Sequence, residues 1–193
     1  MTARLIMICH GSTEAVRRAA FPADEPLDRR DQTRAAALAA QLPSADRCWT
    51  SPELRTRHTA EALNLNATSV AALHDCDYGA WRGSTFEEVL ARDPKAIAAW
   101  LDDPSAAPHG GESVLSLMQR TAQWLDGEKA MDGRVILVTH ATIIRAAIVH
   151  AIGAAPKSFW RIDIAPLSVT RLSGKDGRWN LVSAGCTALN ASQ

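Results

Sequence analysis

The sequence lacks the features that mark several specialised protein classes. Its 21 Lys and Arg are cancelled by 21 Asp and Glu, so it carries no net charge. A general nucleic-acid binder is normally basic, which excludes that class of partner. No apolar run approaches the ~18–20 residues that a membrane span requires, so no membrane partner is expected. The N-terminal run Leu5-Ile6-Met7-Ile8-Cys9 is cut off by His10-Gly11 and is too short for a signal peptide. The cysteines (Cys9, Cys48, Cys76, Cys186) form no CxxC pair. That scatter excludes a secreted disulfide framework and fits a reduced, cytoplasmic protein. His58, His74, His109 and His150 show neither HxH nor HExxH spacing, so no metal site is read.

What remains is an ordinary globular composition: 193 residues, 47% hydrophobic and 22% charged. The length predicts one domain over 1–193 that needs no disulfide or structural metal. Short apolar runs bounded by turn signals predict buried strands at Leu5–Cys9, Cys48–Thr50 and Val135–Thr139. A helical segment follows each, at Gln32–Leu42, Glu53–Leu63 and Ala141–Ile152. Gly153 stands where the last of these should end. Strands alternating with helices imply a three-layer α/β/α sandwich around a mostly parallel sheet.

The middle of the chain reads as a helical insertion around 75–111. Thr85–Arg92 and Pro94–Leu101 form short helices, followed by a loop over Asp102–Gly111. Glu112–Leu125 has the strongest amphipathic pattern, with Val114, Leu117, Met118, Thr121 and Leu125 on one face. In the tail, the alternation of Trp160, Ile162 and Ile164, and of Val169, Arg171 and Ser173, predicts strands, with turns at Gly174 and Asp176-Gly177.

The carboxyl ends of parallel strands are where such sheets bind ligands. The three strands deliver His10-Gly11-Ser12-Thr13, Ser51-Pro52-Glu53-Leu54-Arg55 and His140-Ala141-Thr142. A histidine after a strand is ordinarily a plain loop residue, and an arginine on a helix is ordinarily solvated. Two histidines and an arginine leaving one sheet edge together suit a phosphate instead. Arginine offers a planar fork of donors, and helix starts add partial positive charge. A neutral imidazole can attack phosphorus when a carbonyl holds its other nitrogen.

Five blocks in order then resemble the histidine phosphatase superfamily, with its phosphoglycerate mutase-like fold. They are Cys9-His10-Gly11-Ser12-Thr13, the Ser51–Ala60 block around Arg55, Leu73–Gly83, Gly110-Gly111-Glu112-Ser113, and Val138–Arg145 around His140. The third block is most similar to the small alpha-ribazole-phosphatase-like enzymes. The resemblance implies a phosphomonoester hydrolase acting on a small phosphorylated substrate. It implies His10 as the nucleophile that becomes phosphohistidine, Arg55 and His140 as phosphoryl binders, and Asp75 as the proton donor. It implies Gly11, Ser12, Thr13, Arg17, Arg82, Glu112 and Ser113 as substrate-side residues, with no metal or organic cofactor. A proton donor of this kind needs a raised pKa, and burial beside phosphate would supply it.

Three positions depart from the family pattern. Cys9 replaces a phosphate-clamping Arg, Arg82 replaces a Glu, and Asp31 stands where a Gly is common. The loss at Cys9 implies an alternative: an impaired member that binds a phosphorylated ligand or a protein partner. Cys9 is not itself a phosphatase nucleophile of the Cys-x5-Arg kind, because Ala15 stands where that arginine would be.

Overall fold

In the computed structural model, which describes residues 2–127, 132–175 and 177–186, the first strand β1 (Ala3–Cys9) is central. After it come a single helical turn, α1 (Glu14–Arg17), and α2 (Arg29–Ala39). Next are β2 (Arg47–Thr50), α3 (Leu54–Ala62) and the two-residue β3 (Thr68–Ser69). The central section holds α4 (Phe86–Arg92), α5 (Pro94–Asp102) and α6 (Val114–Gly127). Then follow β4 (Gly133–Thr139), α7 (Ala141–Ala151), β5 (Val169–Lys175) and β6 (Arg178–Cys186).

The six strands run in the order β3-β2-β4-β1-β5-β6. The first four are parallel, β5 is antiparallel to β1, and β6 is antiparallel to β5. Side chains alternate across the pleat and so feed two cores. Leu5, Met7, Val135 and Leu137 join the core that holds Leu117, Ile143 and Ile144 of α6 and α7. Ile6, Ile8, Ile136 and Val138 face the opposite core, with Ala35 of α2 and Ala60 of α3. Helices therefore cover both sheet faces, as the near-continuous apolar runs of β1 and β4 require. Among the described residues no helix is long and apolar enough to cross a membrane.

Local chemistry explains the helix boundaries. Thr85 and Glu88 form a reciprocal capping box at the start of α4. Asp93 accepts from the Ala96 amide, and Pro94 occupies the first turn of α5. Gly153, with φ +62°, follows α7. The face expected on α6 is buried at Val114, Leu117, Thr121 and Leu125, with Met118 half-buried.

Several expectations need correction. Trp160, Ile162 and Ile164 do not form a strand: Pro156–Arg161 is a 3₁₀ helix, started by Pro156 and packed through Phe159. Short apolar alternation does not distinguish the two forms when aromatic packing decides. Gly174 lies inside β5, where Trp179 covers it so closely that a Cβ would stand 2.8 Å from the indole. Gly177, with φ +76°, does lie in the hairpin turn, and Asp176 falls outside the described residues. The helix expected at Gln32 starts three residues earlier, so Asp31 lies within it. The tryptophans of the insertion, by contrast, pack as such residues usually do: Trp81 and Trp100 are 4% and 7% exposed. Their rings stack edge-on at 5.6 Å, and Phe21 lies 5.1 Å from Trp81.

Candidate active site

The carboxyl ends of β1, β2 and β4 meet at one point. Ser51 Oγ donates to the Leu73 carbonyl at 2.6 Å and lies 2.8 Å from Thr139 Oγ1, tying two strand ends to the segment that leads to Asp75. His10 and His140 leave adjacent strands, and their ring centroids are 5.3 Å apart. Both imidazoles are buried.

His10 Nδ1 lies 2.7 Å from the Gly11 carbonyl oxygen. A carbonyl can only accept, so Nδ1 carries the hydrogen and Nε2 keeps its lone pair. Burial pushes the His10 pKa down to about 3, with help from His140 and Arg55, so the ring is neutral at physiological pH. Gly11 is closely packed: a Cβ there would stand 2.5 Å from Leu27 Cδ1 and 3.0 Å from Asp31 Cβ, so both side chains would have to give way. Its amide donates to Thr59 Oγ1 at 3.1 Å.

Arg55, in the first turn of α3, is 2% exposed. Its Nη2 donates to Asp75 Oδ2 at 2.7 Å. Burial opposes its charge, but Asp75 outweighs burial and raises its pKa. Arg55 Nε and Nη1 are buried with no hydrogen-bond partner among the described residues. His140 Nδ1 is in the same condition, 3.5 Å from Asp75 Oδ2. Such groups cost about 1–3 kcal/mol each when left unsatisfied, so their clustering at one point calls for an acceptor.

Asp75 is ionised in the free site. Burial alone would raise its pKa, but the His140 and Arg55 charges, the Thr142 hydroxyl and the Cys76 amide together hold it well below the usual carboxylate range. Thr142 Oγ1 donates to Asp75 Oδ1 at 2.6 Å, and the Cys76 amide donates at 2.8 Å. The free site therefore contains an Asp75 carboxylate and not a carboxylic acid. A phosphate dianion would compete for Arg55 and add negative charge beside Asp75, and both effects favour taking up a proton.

Two acidic residues that the strand-end reading did not single out belong here. Glu53 Oε2 accepts from His140 Nε2 at 2.7 Å, and Glu53 Oε1 accepts from the Asp75 amide at 3.0 Å. Burial would raise the Glu53 pKa, but His140 and the amide bonds lower it. Asp31, 2% exposed, accepts from the Ser12 amide at 2.6 Å and from Arg34 at 2.8 Å. The signal for Glu53 was its place between Pro52 and Arg55; for Asp31 it was the departure from glycine.

The other expected residues divide into two groups. Arg82 lines a small cleft with Asp24, Glu53, Arg55, Asp75 and Asp77. Ser12 spends its amide on Asp31, and Thr13 donates to Glu25 Oε1 while capping α1. Arg17 is exposed and paired with Asp28. Both Glu112 oxygens are held by Arg120, and Ser113 Oγ lies 2.9 Å from Ser116 Oγ. His109 is buried, accepts from the Gly111 amide through Nδ1, and packs 4.9 Å from Trp81.

Cys9 lies in the apolar core. Burial, reinforced by Asp75, pushes its thiol pKa up to about 12, so it is an uncharged SH. All four cysteines are free. Among the described residues no group of three or more His, Cys, Asp or Glu is placed to hold a metal ion.

Known proteins resemble the chain over most of its length. A bifunctional protein of Mycobacterium tuberculosis is 30% identical over 181 residues, covering 86% of this chain and 49% of its own length. The chain thus spans about half of that curated relative. A glucosyl-3-phosphoglycerate phosphatase of Mycolicibacterium vanbaalenii is 32% identical over 176 residues, covering 82% of this chain and 78% of that one. The crystal structure of an alpha-ribazole phosphatase from Shigella flexneri superposes with a TM-score of 0.86 at 21% identity, over 98% of this chain and 100% of that one, a likeness of fold. The profile of the histidine phosphatase superfamily (branch 1) matches residues 5–187. With a sheet edge carrying His10, Arg55 and His140 and a profile match over nearly its whole length, the chain belongs to the histidine phosphatase superfamily.

Proposed function

We propose that the protein hydrolyses small phosphomonoesters through a phosphohistidine formed on His10. One observation carries the reading. Three buried side-chain nitrogens without hydrogen-bond partners among the described residues (Arg55 Nε, Arg55 Nη1 and His140 Nδ1) lie beside the free lone pair of a neutral His10. Donors aimed at a phosphoryl group supply the charge stabilisation that phosphoryl transfer requires.

In the first step, His10 Nε2 bonds to phosphorus while the bond from phosphorus to the ester oxygen breaks. Asp75, protonated once phosphate has drawn Arg55 away, gives its proton to the departing alkoxide. In the second step, water bonds to phosphorus and passes a proton to the Asp75 carboxylate. The N–P electron pair returns to Nε2, and inorganic phosphate leaves. Glu53 accepts from His140 Nε2–H and fixes the ring; as an imidazolium, His140 also carries Nδ1–H, which it gives to the phosphoryl oxygens. Arg82, Asp24 and Asp77 line the cleft that holds the alcohol portion of the ester.

Cys9 favours a second reading. It places an uncharged thiol where the family has a guanidinium, so Arg55 bears the phosphate charge without that partner. In that case the protein binds phosphorylated ligands and turns them over slowly or not at all. One assay separates the two readings. Phosphate release is measured over sugar phosphates, nucleotides and phosphoamino acids, with His10→Ala as the blank. The hydrolase reading expects release from at least one ester class, undiminished by a chelator. Saturable phosphate binding with no release above the blank supports the second reading.

A further inference from the structure

Asp75 sits on a loop with no regular structure of its own, between the 3₁₀ turn Ala71–Leu73 and a second 3₁₀ turn, Gly79–Trp81. Its carboxylate has to meet Arg55, His140 and Thr142 at once, so the backbone beneath it has to be fixed. Glu53 holds the Asp75 amide, and His74 Nδ1 lies 2.7 Å from the Asp75 carbonyl; further groups that fix the loop come from α6 and the turn before it. Arg120, in the second turn of α6, grips Glu112 in a fork, from Nε at 2.6 Å and from Nη2 at 2.8 Å. The same guanidinium donates to the Ala72 carbonyl at 2.9 Å and to the Asp75 carbonyl at 3.2 Å. Arg120 is thus bonded to the loop at Asp75 itself and three residues before it.

Glu112 completes the clamp from the other side. Its amide donates to the Asp77 carbonyl at 2.7 Å, and its carbonyl accepts from Cys76 Sγ at 3.4 Å. The approach at this point is so close that a Cβ on Gly111 would stand 2.1 Å from the Asp77 carbonyl oxygen. The loop is therefore held before Asp75 by the Arg120 side chain and after it by the Glu112 backbone, and the ion pair joins the two.

We propose that Arg120, braced by Glu112, is a positioning residue that sets where the Asp75 carboxyl stands relative to the ester oxygen. This rests on the reading of Asp75 as the proton donor. The contact of Arg120 with Asp75 is to its backbone carbonyl, so it acts through Asp75 and not on the substrate. The function needs arginine: the planar fork satisfies a carboxylate and two carbonyls together, which a lysine ammonium does not reproduce. Glu112, expected on the substrate side, is assigned to this brace.

The test compares esters that differ in their need for a proton. Glycerol phosphate leaves as a poorly stabilised alkoxide, whereas 2,4-dinitrophenyl phosphate leaves as a stable phenolate. In the full chain, Arg120→Met and Arg120→Lys are expected to lower kcat/KM for glycerol phosphate by about 10–100-fold, the scale of a small misplacement of a catalytic group. The aryl ester is expected to stay within about threefold. Asp75→Asn should lose activity on both esters but far more on the alkyl ester, and Arg120→Met combined with Asp75→Asn should be no worse on the alkyl ester than Asp75→Asn alone. If Arg120→Met fails to fold, Glu112→Gln, which breaks the fork and leaves the guanidinium in place, should give the same selective loss.

Equal losses on both esters for the Arg120 variants, with Asp75→Asn still selective, would overturn the positioning role and leave the donor reading standing. Loss of selectivity in Asp75→Asn itself would overturn the donor assignment and, with it, this inference.

Discussion

His10→Gln is expected to lower kcat/KM on any ester the protein accepts by about 10⁴-fold or more, because no other side chain at the site offers a free lone pair to phosphorus. His140 does not substitute: its Nε2 is held by Glu53 and its Nδ1 stands beside Asp75. The two cysteines flanking the site do not substitute either. Burial, as the main cause, pushes Cys9 up to about 12, and it raises Cys76 as well. The same variant has a signature in stability. The folded protein holds His10 neutral down to about pH 3, whereas the unfolded chain takes up that proton near the ordinary value of 6.5. The unfolded state therefore binds more protons between those values, and wild-type stability falls as pH drops through that window. His10→Gln removes that contribution, so its Tm relative to wild type should rise between pH 7 and pH 4.5. Thermal unfolding at the two pH values measures it, and a constant difference would contradict the neutral, buried assignment.

Arg55→Met is the second large effect. Removing one preorganised donor at a developing charge typically costs about 10²–10³ in rate. With Cys9 contributing no charge, the upper end of that range is expected here. The variant also leaves Asp75 without its guanidinium, and breaking a buried pair costs about 3–5 kcal/mol of stability. Asp75→Asn in the Arg55→Met background should return much of that stability and none of the activity. Steady-state kinetics with urea unfolding on the two variants test this. A fall in rate of less than tenfold would mean that another cation meets the phosphoryl group.

Much of this was readable from residues alone. β1 and β4 are apolar without alternation because helices cover both faces, and that pattern is local in sequence. The chemistry at their ends is local too, since a strand and the residue after it are neighbours in the chain. The tail was not readable: Trp160, Ile162 and Ile164 alternate like a strand, but Pro156 and the packing of Phe159 and Trp160 select a 3₁₀ helix. The ionisation of Asp75 in the free site has no sequence signature. Burial and ion pairing act in opposite directions on a carboxylate, and only the placement of Arg55 and His140 shows that pairing wins. Arg120 was invisible for a related reason. Its carbonyl partners at Ala72 and Asp75 lie 48 and 45 residues away, and backbone carbonyls carry no sequence signature.

The phosphoryl-enzyme is the most direct test of the account. With enzyme in excess over a labelled phosphomonoester, samples quenched in alkali during a single turnover should carry phosphate on the peptide containing His10, stable to base and released by acid. Label on a cysteine or serine peptide, or its absence while inorganic phosphate forms in the same samples, would contradict a phosphohistidine on His10.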